Sequence, residues 1–156
     1  MCNSVEHAYP EDRDSDLDKW WMFTQVKDEE LTVVICDLGM GIPKSLETNP
    51  KHRSFWNDVL ANTVGKRPDK ALIAKAVEYS TSRHPHNQGR GKGLSQIVQG
   101  IDSHSDDAKM IIMSNYGCYS KKIDGINSTT THNYESSVGG TIIGWVIPLN
   151  KHARAL

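Results

Sequence analysis

Leu31-Thr32-Val33-Val34-Ile35-Cys36-Asp37-Leu38-Gly39-Met40-Gly41-Ile42-Pro43 is the stretch on which the reading of the whole chain turns. Its opening run, Leu31 to Cys36, is apolar and β-branched and reads as a strand. Asp37 to Pro43, with two glycines and a proline, breaks that strand, and Pro43 followed by Lys44-Ser45-Leu46 predicts a short helix or turn beyond it. Upstream, Trp20 to Val26 has the same aromatic and β-branched character, and the polar Lys27-Asp28-Glu29-Glu30 lies between the two runs. Together they predict an antiparallel hairpin.

Working outward, residues 47 to 68 read as a polar insertion with one helix, carried by Phe55, Trp56, Val59 and Leu60. Asp69 is a candidate N-cap for a helix from Lys70 to about Ser80, whose stripe is Leu72, Ile73, Ala76, Val77 and Tyr79. A loop rich in His, Gly, Arg and Asn follows, from Thr81 to Lys92. Gly93 then opens a helix in which Leu94, Ile97, Val98 and Ile101 recur at spacings of three and four. Lys109 to Asn115 and Thr141 to Leu149 read as strands. Lys121 to Ser137 is polar, with Lys122, Ile123 and Tyr134 hinting at a small hairpin. At the start, Met1 to Tyr9 reads as the end of a helix, stopped by Pro10 and the acidic run after it. Helices and strands are segregated rather than alternating. The fold class is therefore α+β: a two-layer sandwich with a mixed, mostly antiparallel sheet and helices on one face. Residues 1 to 150 form the domain and 151 to 156 a tail.

Composition narrows the function classes. A chain of 156 residues, 37% hydrophobic, is long enough for one core and short for two domains. A net charge of −1 supplies no global field to hold nucleic acid or an anionic membrane. Cys2, Cys36 and Cys118 are odd in number and widely spaced, which argues against a disulfide framework or structural zinc and fits a reducing cytoplasm. No apolar run approaches the roughly 20 residues of a membrane span.

Four segments carry chemistry. In Asn3-Ser4-Val5-Glu6-His7-Ala8 an Asn carboxamide oxygen offers a neutral hard ligand to a Mg²⁺ ion that keeps phosphate oxygens and water in its shell. Asp37-x-Gly39-x-Gly41-Ile42 places a carboxylate at the end of a buried apolar strand. Such a group accepts from an exocyclic amine such as adenine N6, while the glycines let a flat base approach the backbone. Its glycine spacing is wrong for a dinucleotide fingerprint. Gly89-Arg90-Gly91-Lys92-Gly93-Leu94 precedes an apolar-periodic helix. Free backbone N–H groups, the helix N-terminus and two cations there make a phosphate site, without the spacing of a Walker A loop. Gly139-Gly140-Thr141 offers a hydroxyl and bare backbone at the start of a strand. Singly, each has a plain structural explanation: a polar helix face, a strand-ending Gly turn, a basic loop, a strand start.

Taken in order, the four resemble the N, G1, G2 and G3 boxes of the Bergerat (GHKL) ATP-binding fold, shared by histidine kinases, anti-sigma-factor kinases, DNA gyrase, mismatch-repair ATPases and a heat-shock chaperone. Tyr79-Ser80-Thr81-Ser82-Arg83 resembles the family's segment leading into its ATP lid. The resemblance implies the cofactors ATP and Mg²⁺. It implies that Asn3 holds the metal, that Asp37 binds adenine N6 with Gly39, Gly41 and Ile42 beside it, and that Arg90, Gly91, Lys92, Gly93 and Leu94 cradle the phosphates. Thr141 would sit near the adenine through a bridging water. A protein partner or phosphoacceptor is the further ligand class it implies, and His7-Ala8-Tyr9 suggests an anti-sigma-factor-like serine kinase. A non-catalytic nucleotide-sensing module, or a fragment without turnover, is the competing class.

One family feature is missing from the pattern. The general-base carboxylate lies one helical turn before the N-box Asn, and four residues before Asn3 precedes Met1. The reading therefore starts the chain inside the N-box helix and assigns no catalytic residue, Glu6 lying on the wrong side of Asn3. His84-Pro85-His86 lacks a third metal ligand. The tandem Trp20-Trp21 is expected to put one ring in the core and one in solvent. No phosphoacceptor-histidine helix or receiver domain accompanies these motifs.

Overall fold

A computed structural model describes residues 19–48, 53–63, 67–82, 93–102, 107–124 and 127–149. Six strands among these residues, β1 (Trp20–Lys27), β2 (Glu30–Asp37), β3 (Lys109–Ser114), β4 (Gly117–Ile123), β5 (Asn127–Asn133) and β6 (Thr141–Pro148), form one sheet in the order β1-β2-β6-β3-β4-β5. Among the described residues four helices accompany it: α1 (Ile42–Thr48), α2 (Arg53–Ala61), α3 (Asp69–Ser82) and α4 (Gly93–Asp102). The chain is α+β, as its segregated pattern predicts. Every pairing among the described strands is antiparallel, where a mixed, mostly antiparallel sheet was expected.

The hairpin β1–β2 closes with Lys27 opposite Glu30, leaving Asp28 and Glu29 as a two-residue loop. Both have positive φ, 50° and 64°, the tight-turn geometry that matches the twist of the flanking strands. Asp28 suits the first position of such a turn, whereas Glu29 stands where Gly is favoured.

Alternation along the strands fixes which face is the core. Met110 and Ile112 of β3, Tyr119 of β4, and Ile143, Trp145 and Ile147 of β6 point to one face, where Ile73 and Val77 of α3 and Val98 and Ile101 of α4 meet them. Leu72, one residue from Ile73 on α3, turns aside to pack with Leu46 of α1 and with Trp56 and Val59 of α2. The polar insertion is thereby tied to the body of the protein.

Several local expectations are corrected. Asp69 is the first residue of α3, and its carboxylate accepts from the Tyr116 N–H instead of capping its own helix. The cap comes from β5: Asn133 Oδ1 accepts from the Lys70 N–H at 3.0 Å while Asn133 Nδ2 donates to Arg67 O at 2.8 Å. Trp20 and Trp21 are both over a third exposed, on a strand that lies at the edge of the described sheet. β2 is half-buried along its length rather than buried. The hint of a hairpin in 121–137 understates a seven-residue pair, since β4 begins at Gly117 and β5 is the polar edge strand Asn127–Asn133. Ser120 and Thr130 face each other there, hydroxyl to hydroxyl at 2.7 Å.

Candidate functional site

The G1-like and G3-like segments meet because β2 and β6 are neighbours. Asp37 is the register partner of Thr141, and Thr141 is the partner of Ser114 on β3. The three side chains therefore form one row across three strands, at the end of the sheet on the helix-covered face. This row is the floor of the candidate site.

Asp37 ends β2, and its Oδ1 accepts from the Gly39 N–H at 2.8 Å. Burial pushes its carboxyl above the ordinary 3.8, opposed by backbone hydrogen bonds from Gly39 and Thr141. A carboxylate has about four acceptor positions. Backbone donors therefore leave lone pairs of Asp37 open to a ligand. No ion pair reaches it among the described residues.

The loop after Asp37 is held by β3. Ser114 Oγ, wholly buried, accepts from the Ile42 N–H at 2.8 Å, and Asn115 Nδ2 donates to Met40 O at 3.2 Å. Gly41 between them has φ +82°, and a Cβ there would lie 1.7 Å from Asn115 Oδ1 and 2.8 Å from Ser114 Oγ. The second glycine of the motif is thus required both by its backbone angle and by the space it leaves. Gly41 O then accepts from the Ser45 N–H at 3.0 Å, starting α1.

The G3-like segment is held as tightly. Gly140 has φ +157°, and a Cβ on it would sit 2.1 Å from Asp37 O, an atom of the backbone that cannot step aside. Gly140 O accepts from the Asn115 N–H and from Ser114 Oγ, each at 3.1 Å, and Ser114 Oγ lies 3.1 Å from Thr141 Oγ1. Gly139 has φ +67° with open space about it. Ser114 and Asn115 therefore join the two motifs, and the sequence reading did not single them out. Asn115, at φ 51°, marks its turn through Asn's tolerance of that region. Nothing in the sequence announces that the same two side chains reach back across 70 residues.

Of the remaining expected site residues, Leu94 lies in the first turn of α4 and packs against the core together with Ile42 of the Asp37 loop. Gly93 begins that helix. Asn3, Arg90, Gly91 and Lys92, together with His84-Pro85-His86 and the tail 151–156, lie outside the described residues. Among the described residues no three His, Cys, Asp or Glu side chains gather to hold a metal ion. No described helix is long and apolar enough to cross a membrane.

Two cavities occur elsewhere. One, of about 420 Å³, lies by Arg67, Lys70, Asn133 and Glu135. The other, of about 440 Å³, lies largely over Gly144 on the face away from the helices. Both are open and neither is lined by the Asp37 row. No protein-family model matches the chain, and no curated protein matches it.

Proposed function

We propose that this protein binds an adenine nucleotide, as Mg·ATP, in the manner of the Bergerat (GHKL) domains that its four motifs resemble. The observation that carries the reading is the row Asp37–Thr141, a half-buried carboxylate with spare acceptor positions beside a hydroxyl, brought together from two motifs a hundred residues apart. Asp37 accepts a hydrogen bond from the exocyclic amine of the base. Thr141 reaches the ring through a water. Gly39 and Gly41 keep side chains out of the plane in which the base lies, and Ile42 supplies apolar contact.

The phosphates are assigned to Gly89-Arg90-Gly91-Lys92-Gly93-Leu94, where backbone N–H groups and two cations precede α4, and the metal to Asn3. When bound, Mg²⁺ neutralises phosphate charge. The described residues supply base recognition, through acceptors fixed by the backbone before the ligand arrives. No residue is assigned to activate water or a hydroxyl. The reading is thus one of binding, coupled to phosphoryl transfer or to an ATP-gated change of shape. A serine kinase of the anti-sigma-factor type is the form suggested by His7-Ala8-Tyr9.

Calorimetric titration of the full chain with ATP and Mg²⁺ tests this. Saturable binding that Asp37→Ala weakens at least tenfold supports the reading. Lack of binding at millimolar ATP, or an affinity that Asp37→Ala leaves unchanged, sinks it.

A further inference from the structure

The face of the sheet away from the helices carries chemistry of its own. Register places Val34, Gly144, Ile111, Ser120 and Thr130 in one row across β2, β6, β3, β4 and β5. Two residues along each strand, and so on the same face, the next row runs from Val146 through Lys109 to Lys122. These rows floor the cavity of about 440 Å³. Small-molecule sites commonly enclose roughly 300–1,000 Å³.

Gly144 makes the hollow. It is buried, and a Cβ built on it would lie 3.2 Å from Ile111 Cγ2 and 3.8 Å from Val34 Cγ2, the side chains of its two neighbours in the row. Any larger side chain at this position would rise between them into the cavity. With glycine there, Val34, Ile111 and Val146 line an apolar half.

The other half is cationic. Lys109 and Lys122 are direct register partners, and like charges directly opposite each other on one face repel. Lys122 Nζ donates to Asp124 Oδ2, whereas Lys109 makes no ion pair among the described residues. One carboxylate thus faces two ammonium groups. Ser120 and Thr130, in the row beside the lysines, present hydroxyls to the same half. An anion seated between the lysines would relieve their repulsion, but a bare anion would leave the apolar half wet.

The geometry points to this trough as a binding site for an amphipathic monoanion, a carboxylate on an alkyl chain. Its head sits between Lys109 and Lys122, and its chain crosses Val146 and Gly144 towards Val34. From the middle of the β3–β4 pair to β2 is two and a half strand spacings, or about 12 Å at ~4.8 Å each. That is the reach of an extended chain such as decanoate. An alkylammonium of the same length meets two like charges, and a short carboxylate gains nothing from the apolar floor. The site lies on the opposite face of the sheet from the Asp37 row and stands independently of the nucleotide reading.

The test is calorimetric titration of the full chain with decanoate, kept below the concentration at which it self-associates, with decylammonium and acetate as controls. Decanoate should saturate a single site, and both controls should bind at least about tenfold more weakly. Lys109→Gln should weaken decanoate roughly tenfold, the worth of one hydrogen bond to a charged group. Gly144→Val fills the hollow and should weaken it at least about tenfold. A melting curve on each variant accompanies the titration. Should Gly144→Val not fold, Gly144→Ala is read in its place, with a loss of about threefold expected for one added methyl. Decylammonium binding as tightly as decanoate would mark mere hydrophobic adsorption and overturn the proposal. So would an affinity for decanoate that either folded variant leaves unchanged, or a wild type that decanoate does not saturate.

Discussion

Gly41→Ala is the substitution whose cost the structure lets one work out most fully. At φ +82° an L side chain carries about 1–2 kcal/mol of left-handed strain. The new methyl would also start 1.7 Å from Asn115 Oδ1 and 2.8 Å from Ser114 Oγ. Relief requires both side chains to move, which breaks the Asn115 bond to Met40 O and the Ile42 bond to Ser114. Each is worth about 1 kcal/mol. The sum is about 3–4 kcal/mol. Gly139→Ala is the built-in control: its φ of +67° brings similar strain, but nothing lies within 4 Å of the added Cβ. It should cost about 1–2 kcal/mol. Urea unfolding followed by tryptophan fluorescence reads both as shifts in midpoint at constant slope. Asn115→Gly suits the φ of 51° at that position and removes the atom closest to the new methyl. In the Gly41→Ala background it should recover about 1–2 kcal/mol as a coupling energy. If Gly41→Ala costs no more than Gly139→Ala, or the double variant shows no coupling, the clamp of β3 on the Asp37 loop is refuted.

Asp37→Asn should abolish tight ATP binding yet raise the melting temperature at neutral pH. Burial lifts the Asp37 carboxyl above 3.8, so its contribution to stability is present below 3.8 and lost as pH rises through the raised value, and the variant's advantage should shrink as melts are repeated toward pH 3. Asn133→Ala removes the cap on the Lys70 N–H and the bond to Arg67 O. It should cost about 1–2 kcal/mol in chemical unfolding, whereas Asn133→Ala with the midpoint unmoved would deny the cap its role. Glu29→Gly, in a hairpin loop with φ 64°, should stabilise by about 1 kcal/mol in the same assay, and a loss of stability would contradict the turn geometry.

How far the sequence carried the fold differs by region. The strand from Thr141 to Leu149 and the helix stripe Leu94, Ile97, Val98 and Ile101 were legible because one face of each meets the core, and Leu31 to Cys36 was legible as a β-branched apolar run. β5 was not, because Asn127-Ser128-Thr129-Thr130-Thr131-His132-Asn133 is an edge strand where exposure leaves no apolar pattern to read. Its only signal was three consecutive β-branched threonines. Asp69 misled for a related reason. An Asp before a helix looks like a cap, but the competing donor, Tyr116 N–H, comes from 47 residues away. At the candidate site, Asp37, Gly41 and Thr141 were found from motif spacing, whereas Ser114 and Asn115 were invisible. Their partners, Ile42, Met40, Gly140 and Thr141, are assembled only once β2, β6 and β3 lie side by side.

The central claim is that the ends of β2, β6 and β3 form the floor of an adenine site. Backbone amide shifts of ¹⁵N-labelled full-length protein, recorded as ATP and Mg²⁺ are added, test it residue by residue. The account predicts that Gly39, Gly41, Ile42, Ser114, Gly140 and Thr141 shift together along one saturation curve, and that Asp37→Asn flattens that curve. Shifts confined to other parts of the molecule, with this row unmoved at saturating ATP, would contradict it.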